Sequence, residues 1–223
     1  MTNCLFTCCT DNYLIYAEYL YKSVSKTNKN ITFELFLINC SKNNFFEKNK
    51  NENIIINYDN VEYKNNELKC YSSYLRAKIF PELLKKYEKV FWMDADTIVR
   101  KDISLLYNLM DTYDLIIYKN DITDKKINLK KHGLYKTGII GMNKNLLNFS
   151  KKWCNMIFKN LSFFWYQDQQ TISKLINSEK LNKIYILEKK YIDWDFNINS
   201  PIWVGKGVRK NSDMYLIESK NYD

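Results

Sequence analysis

Hydrophobic and polar positions follow two patterns along this chain, one typical of buried strands and the other of amphipathic helices. An apolar run from Cys4 to Cys9 comes first and is followed by a polar turn. Apolar residues then recur on one helical face at Leu14, Ala17, Leu20 and Val24. This pattern predicts a strand, a turn and a helix in that order.

The next segments show the same two patterns. Strands are predicted at "ITFELFLINC" and "NIIIN", with the polar run "SKNNFFEKNKNEN" between them. A helix is predicted over residues 71–80, and Pro81 is expected to start a second helical turn that reaches Leu84. The apolar strand that follows is predicted to end at Asp94.

The second half of the chain continues the alternation of strands and helices. Its predicted elements are, in order, a strand at 97–99, a helix near 103–109, a strand at 114–118, a strand at "YKTGIIGMNK", a helix at 145–158, a helix at "DQQTISKLI" and a strand at "KIYILE". The charged segment 119–131 is predicted to be a surface loop, and the tail after Pro201 to be irregular. This alternation predicts the α/β class, with a mostly parallel central sheet flanked by helices.

Length and composition indicate a single domain over residues 1–223. The chain has 223 residues and 46% of them are hydrophobic, which is enough for one sizeable core and too little for two ordinary domains and a linker. Only 5 Gly and 2 Pro occur, and no low-complexity stretch or internal repeat marks a boundary.

The net charge of +9 changes this picture little. Most of it comes from lysine, and Lys, Asn, Ile and Tyr are abundant throughout, as in proteins encoded by AT-rich microbes or giant viruses. A nucleic-acid-binding protein would concentrate its basic residues in one stripe or module, so we expect no nucleic-acid partner. Because arginine is scarce, Arg76, Arg100 and Arg209 are the more informative cations.

The six cysteines are scattered and have no CxxC spacing, so they predict buried free thiols rather than a zinc site. The first apolar run is too short for a signal peptide or a membrane span. We therefore expect no integral membrane segment and a reducing, cytoplasmic location, which would be the host cytoplasm or the virion if the chain is viral.

Two aspartates directly follow the apolar strand in "KVFWMDADTIV". In extended backbone, Asp94 and Asp96 would point to the same side, at the carboxyl end of a central strand, where open α/β sheets bind ligands. Such carboxylates suit a hard divalent cation that keeps positions free for a diphosphate. A surface acidic turn explains the bare pattern equally well, and a second pair of this form occurs at Asp193 and Asp195.

Four ordered segments together resemble the family 8 glycosyltransferases, the group that includes glycogenin and bacterial lipopolysaccharide galactosyltransferases. They are "FTCCTDNY", "YSSYLRAKIFPELLKKYEKVFWMDADTIVRKDISLLYN", "YKTGIIGMNK" and "WYQDQQTIS". The resemblance implies a single-domain, Rossmann-like GT-A fold and a UDP-sugar donor. It also implies Mn²⁺ (or Mg²⁺) as the cofactor and transfer with retention at the anomeric carbon.

The resemblance implies roles for particular residues. Asp94 and Asp96 would hold the metal, and Asp168 and Gln169 would act at the anomeric carbon as the catalytic pair. The donor would be bound near the uracil by Cys9, Thr10 and Tyr13, and near the ribose and sugar by Arg76. Further donor contacts would come from Asp94 and Ala95 of the DxD motif, and from Lys136, Thr137 and Gly138 on a later strand. Taken alone, Asp168 is as readily explained by an N-cap, and Arg76 by a surface helix.

The sequence departs from the family pattern at the third metal ligand. The family has a histidine in a C-terminal His-x-x-Gly-x-x-Lys stretch, whereas the one histidine of this chain is His132, elsewhere. The comparable tail, "PIWVGKGVRKN", places Val204 at the ligand position, or Ile202 in the alternative register. Either the aspartates, diphosphate and water suffice for the metal, or Asp195 or Asn197 substitutes.

Two basic features complete the candidate site. Lys136 stands where the family strand usually carries asparagine, and a cation there would alter the choice of donor or meet an acidic acceptor. In the tail, a diphosphate clamp would be formed by Lys206, Gly207, Arg209 and Lys210, because glycine allows close approach of the backbone. A solvated basic tail is the alternative in so lysine-rich a chain.

Together these features predict a metal-dependent retaining glycosyltransferase. It would move glucose, galactose or N-acetylglucosamine from a UDP-sugar to a hydroxyl of a glycan or protein, through either a covalent Asp168 intermediate or front-face attack. A non-catalytic nucleotide-sugar-binding protein of the same fold is an open alternative. A sugar nucleotidyltransferase is a weaker one, because the N-terminal loop lacks glycine. The sequence is also compatible with a homodimer.

Overall fold

The structure, a computed structural model, describes residues 3–40, 44–48, 53–120, 128–196 and 199–222. Its strands are β1 (Asn3–Cys9), β2 (Thr32–Ile38), β3 (Ile54–Asp59), β4 (Lys89–Met93), β5 (Thr97–Val99), β6 (Leu115–Lys119), β7 (Tyr135–Asn143), β8 (Ile184–Ile186), β9 (Ile192–Asp193) and β10 (Ile202–Val204). Its α-helices are α1 (Leu14–Thr27), α2 (Asn44–Lys48), α3 (Asn65–Lys86), α4 (Ser104–Leu109), α5 (Leu129–His132), α6 (Leu147–Phe158), α7 (Gln167–Ser178) and α8 (Asp213–Lys220). Short 3₁₀ helices span Asp11–Tyr13, Lys144–Leu146 and Gly207–Asn211.

The chain folds into two compact units, each assembled from separate stretches of sequence. The first unit comprises residues 2–61, 93–108 and 188–223, and the second comprises residues 62–92 and 109–187. Both units have buried apolar residues of their own. The single domain over residues 1–223 stays a prediction.

The first unit is built on three parallel strands in the order β3-β2-β1. The apolar runs form strands here because six of the seven residues are buried in both β1 and β2, as in strands covered on both faces. A small sheet of order β5-β10-β9 belongs to the same unit, and helix α1 packs against β5.

The second unit contains strands in the order β4-β7-β6-β8. Strand β6 pairs antiparallel with β7 and parallel with β8, while helix α3 packs against α6 and α7. Gly141 of β7 makes room for an aromatic ring of β4, since a β-carbon at this position would lie 2.6 Å from the Phe91 ring. The strands therefore approach closely at this point.

Most predicted elements are confirmed, with ends that differ by a few residues. The prediction for α3 is wrong, because one helix runs from Asn65 to Lys86 with Pro81 inside it. Proline removes a backbone donor and weakens a helix interior. Burial of Phe80, Leu83 and Leu84 on either side of Pro81 compensates for that loss.

The tail after Pro201 is regular, so the prediction of an irregular tail is also wrong. Ile202, Trp203 and Val204 are buried and form β10, which pairs antiparallel with β5. Helix α8 follows, and the Ser212 hydroxyl accepts a hydrogen bond from the Tyr215 amide at its start. Three apolar residues are too few for periodicity to distinguish a strand from a loop.

The predicted loop over residues 119–131 falls partly outside the described residues, which omit 121–127. Its last part is helical rather than structureless, because Leu129–His132 forms α5. The Asn128 side chain caps this turn by accepting a hydrogen bond from the Lys131 amide at 3.1 Å.

Two composition-based predictions can be compared with the fold. All six cysteines are free thiols and five of them are buried, as predicted. Within the described ranges, no helix combines the length and apolar character needed to cross a membrane.

Candidate active site

The acidic pair lies in a tight turn that follows β4. All five residues of β4 are buried, and the chain then turns so that the Thr97 amide donates to the Asp94 carbonyl at 3.1 Å. The extended backbone predicted for this pair is therefore wrong. Gly205 fixes the turn from the tail, since its amide donates to the Asp96 carbonyl at 2.7 Å. A β-carbon on Gly205 would lie 2.6 Å from the Tyr215 ring, so glycine permits this approach.

Asp96 has a buried carboxylate beside a second acidic group. Burial raises the pKa of Asp96, and repulsion from the Asp94 charge raises it further. The positive charges of Lys210 and Lys206 oppose this rise. The two carboxylates therefore lie close enough for the charge of one to destabilise the charge of the other.

Lys210 is the cation that faces Asp96. Its Nζ lies 2.9 Å from Asp96 Oδ2 and donates a second hydrogen bond of 2.9 Å to the Tyr13 hydroxyl. The ammonium is also 4.5 Å from the centre of the Tyr13 ring and 5.6 Å from that of Tyr16. Burial alone would lower the pKa of Lys210, but the Asp96 charge and the two hydrogen bonds raise it overall. Lys210 therefore stays charged in this position.

The other residues of the predicted diphosphate clamp are exposed. Lys206 and Gly207 lie at the surface, and Gly207 has a φ of +71° that favours glycine. Arg209 turns toward Asp195, with 3.2 Å between Nη2 and Oδ1. Of the four predicted clamp residues, the structure brings Lys210 alone into contact with Asp96.

The acidic pair fits a hard divalent cation. Carboxylate oxygens are the preferred protein ligands of Mg²⁺ and Mn²⁺. A dication would offset both the burial of Asp96 and its repulsion by Asp94, and the Lys210 ammonium already shows that this position attracts a cation. The hydroxyls of Thr97 and Tyr215 are buried and lack a hydrogen-bond partner in the described part of the chain.

A third protein ligand does not appear among the described residues, where no group of three His, Cys, Asp or Glu side chains could hold a metal. Val204 and Ile202, the two candidates for the family histidine position, are buried in β10. Asp195 is engaged by an arginine, and Asn197 lies outside the described residues. Asp94 and Asp96 stay the predicted protein ligands, and diphosphate and water would have to complete the coordination.

The residues predicted around the uracil lie where β1 ends. Cys9 is the last residue of β1, and Thr10 precedes a 3₁₀ turn that contains Tyr13. A hydrogen bond with Cys40, together with burial, raises the pKa of the Cys9 thiol, which makes it a poor nucleophile. Tyr13 is 38% exposed, and its hydroxyl accepts a hydrogen bond from Lys210. Tyr13 thus connects the predicted uracil pocket to the acidic pair.

A second cluster of predicted site residues surrounds Asp168 in the second unit. Asp168 is 1% exposed and accepts a hydrogen bond of 2.6 Å from the Thr137 hydroxyl. Arg76 Nε lies 3.6 Å from the same carboxylate oxygen, and its guanidinium is 4.6 Å from the centre of the Trp92 ring. Arg76 is thus buried rather than on the surface. Asp168 is not an N-cap, because Tyr166 occupies that position.

The remaining predicted residues of the second unit have contacts within that unit. Gln169 is buried, and its carbonyl accepts a hydrogen bond of 2.6 Å from the Ser173 hydroxyl. Lys136 Nζ lies 5.1 Å from the centre of the Tyr118 ring, and Gly138 is half-buried in β7. Their roles in donor binding and catalysis stay predictions.

Sequence reasoning missed the acidic partners of the three arginines. Each arginine forms an ion pair: Arg76 with Asp168, Arg100 with Asp193 and Glu218, and Arg209 with Asp195. The scarcity of arginine was the only signal for these pairs. Their partners lie up to 118 residues away, where local patterns give no information.

The sequence matches a known protein family. The family described as glycosyl transferase family 8 matches residues 4–199. This range contains both aspartates of the acidic pair and the Asp168 cluster, and it ends before Lys210. None of the curated proteins compared with the chain matches it.

Several solved structures of glycosyltransferases are similar to this chain. The galactosyltransferase LgtC in complex with donor and acceptor sugar analogs has a TM-score of 0.63 and 18% identity, over 98% of this chain and 93% of LgtC. A glycosyltransferase involved in glycosylation of the major capsid of PBCV-1 has a TM-score of 0.60 and 11% identity, over 100% of this chain and 99% of that one. GlyE of Streptococcus pneumoniae has a TM-score of 0.59 and 14% identity, over 86% of this chain.

The chain spans about half the length of some of these proteins, namely 46% of GlyE and 52% of the bifunctional glycosyltransferase WbbM. At such low identities the likeness shows the fold alone. That fold is the α/β GT-A fold with a mostly parallel central sheet flanked by helices, as the sequence predicted.

Proposed function

The chain belongs to family 8 of the glycosyltransferases, and we propose that it transfers a hexose from a UDP-sugar to a hydroxyl group of a glycan or protein, with retention of configuration. Glucose, galactose and N-acetylglucosamine are the proposed hexoses. Family 8 enzymes of this fold generally depend on a divalent metal, and Mn²⁺ or Mg²⁺ is the proposed cofactor here.

One observation carries this proposal, namely the contact between the buried Asp96 carboxylate and the Lys210 ammonium, next to Asp94. The contact supports the proposal because its two groups suit the two halves of a metal–diphosphate complex. The carboxylates suit the dication and the ammonium suits the phosphate oxygens. The surface acidic turn that the bare motif also allowed would show neither this burial nor this pairing.

The tail cations suit the departure of UDP. Negative charge grows on the β-phosphate as the bond to the sugar breaks, and Lys210 and Lys206 would stabilise that charge more in the transition state than in the ground state. A bound dication would supply Lewis-acid neutralisation of the same oxygens. Asp94 and Asp96 would fix its position. An acid catalyst at the leaving oxygen is then unnecessary.

Asp168 is proposed to act at the sugar by stabilising positive charge. Its carboxylate is held by the Thr137 hydroxyl and lies near the Arg76 guanidinium. Both partners contact the same oxygen, Oδ2, and they fix the orientation of the carboxylate. The front-face route and a covalent Asp168 intermediate stay alternatives.

The proposal is tested by incubating the full chain with Mn²⁺ and each UDP-sugar and measuring UDP release, with and without glycan and protein acceptors. Slow hydrolysis of one donor that an acceptor accelerates is the expected result. Binding of UDP-sugars without turnover would support the non-catalytic alternative, for which the absent family histidine is the observation in favour. Pyrophosphate-dependent exchange would instead indicate a nucleotidyltransferase.

A further inference from the structure

The side chain and the backbone of Lys210 are both held in place by hydrogen bonds. Its side chain is 12% exposed, and its ammonium is held by Asp96 Oδ2 and by the Tyr13 hydroxyl, each at 2.9 Å. The backbone is fixed as well, because the Lys210 amide donates to the Gly205 carbonyl at 2.9 Å and the Gly205 amide donates to Asp96. This ammonium is therefore a fixed part of the site.

The position of this ammonium conflicts with a dication bound to the same carboxylate. A metal ion bound to an Asp96 oxygen would lie about 2.1 Å from it. The Lys210 nitrogen lies 2.9 Å from Oδ2, so a metal ion that took the same oxygen would lie close to the ammonium and the two positive charges would repel each other. Either cation alone offsets the burial of Asp96, and each opposes the binding of the other.

We propose that Lys210 is an internal counter-ion that competes with the divalent metal for Asp96, so that the metal binds well only when a diphosphate is present to receive the displaced ammonium. This inference rests on the proposed metal–diphosphate site. Lys210 then couples the two ligands, in addition to binding the diphosphate. It weakens the binding of the metal alone and strengthens the binding of UDP with the metal.

Lys210→Met distinguishes competition with the metal from simple binding of the diphosphate, because the two predict different affinities for free Mn²⁺. Without the ammonium, Mn²⁺ alone should bind more tightly, by about tenfold, which lies within the usual range of coupling between two ligands. UDP in the presence of Mn²⁺ should bind more weakly, because the diphosphate loses a cation. A clamp residue that acted on the diphosphate alone would leave the affinity for free Mn²⁺ unchanged.

Tyr13→Phe is a milder variant of the same experiment. It keeps the aromatic ring but removes the hydroxyl that accepts a hydrogen bond from Lys210. The ammonium should then leave Asp96 more readily, and Mn²⁺ alone should bind more tightly than in wild type but less tightly than in Lys210→Met. This variant keeps the proposal testable if Lys210→Met folds poorly.

The measurement is the electron paramagnetic resonance signal of free Mn²⁺ during titration of the full chain, with and without UDP. Lys22→Met serves as the control for the change of net charge, since Lys22 pairs with Glu18 on helix α1. It should match wild type. Tighter binding of Mn²⁺ alone to Lys210→Met, with a smaller effect of UDP on that affinity, is the expected result.

Two failures can be told apart. If wild type binds Mn²⁺ together with UDP but Lys210→Met binds Mn²⁺ alone no better than wild type, competition is overturned and the proposed function stands. If neither wild type nor Lys210→Met binds Mn²⁺, with or without UDP, the metal site itself is wrong and competition is overturned along with it.

Discussion

Asp168 and Asp96 are both buried carboxylates, and their partners give them different chemistry. Asp168 meets a hydroxyl and a guanidinium, which share its negative charge. Asp96 meets an ammonium but also a second carboxylate, and burial together with that neighbour raises its pKa. At the scale of single residues, Asp168 is suited to stabilising positive charge and Asp96 to gaining a cation.

Asp168→Asn and Thr137→Val separate the charge of Asp168 from its hydrogen bond. Asp168→Asn removes the charge and should slow sugar transfer on the order of a hundredfold, with little change in UDP affinity. Thr137→Val keeps the charge but leaves a buried carboxylate short of a donor. It should lower the free energy of unfolding by about 1–3 kcal/mol and reduce turnover less.

Turnover is measured by UDP release, affinity for UDP by calorimetry and stability by urea unfolding. Normal turnover in Asp168→Asn would remove this residue from the site. Equal losses of turnover in both variants would show that position matters rather than charge.

The side chains that contact Asp96 and Asp168 could not be predicted from the sequence. The resemblance marked Asp96 and Asp168, but Lys210 and Thr137 contact them from 114 and 31 residues away. Each of these partners was predicted as a donor-binding residue, and its contact with an acid was not. Pairing across such distances is decided by packing, which local pattern does not encode.

At the scale of elements, Arg100 ties strand β5 to the C-terminal tail. Its guanidinium donates to Asp193 at 3.1 Å and to Glu218 of α8, and it lies 4.9 Å from the centre of the Trp203 ring of β10. The Arg100 amide also donates to the Pro201 carbonyl at 2.7 Å. This network fixes the two elements, β10 and α8, between which Lys210 lies in the chain.

Arg100→Gln should destabilise the protein strongly. It leaves the carboxylates of Asp193 and Glu218 without their cation, and removal of one partner from a buried ion pair costs about 3–5 kcal/mol. Lys85→Gln is the matched control, because its pair with Glu82 is exposed and such pairs contribute about 1 kcal/mol or less. Urea unfolding of both variants measures the difference. A loss in Arg100→Gln no larger than that in Lys85→Gln would contradict the buried network.

Elements with strong apolar patterns were predictable, and those shaped by packing were not. Strands β1, β2 and β4 follow directly from their apolar runs, because nearly all of their residues are buried. Helix α3 continues through Pro81 and strand β10 forms from three residues, since in both cases burial outweighs a weak or contrary local signal. The acidic pair occupies a turn for the same reason, because Gly205 holds it there.

At the scale of the whole molecule, the fold and the family could be predicted from the sequence. The residues that shape the acidic pair from the tail, and the acceptor, could not. Alternating strands and helices gave the α/β class, and four ordered segments gave the resemblance to family 8, which the match over residues 4–199 confirms. Gly205 and Lys210, which shape the acidic pair, lie beyond that match. The acceptor depends on loops and tails that differ among proteins of one fold, so sequence alone did not identify it.

Calorimetry of UDP binding in the presence of Mn²⁺, in wild type and in Asp94→Asn/Asp96→Asn, tests the central claim most directly. Asp96→Asn also leaves the Lys210 ammonium without its buried carboxylate partner, so the variant should melt at a lower temperature than wild type, and binding is measured below that temperature, where circular dichroism shows the variant folded. Wild type should bind UDP tightly in the presence of Mn²⁺ and more weakly when Mn²⁺ is omitted. The folded variant should bind UDP weakly, with the same affinity whether or not Mn²⁺ is present. Equal affinity of wild type and variant for UDP with Mn²⁺ would contradict a metal–diphosphate site at these two aspartates.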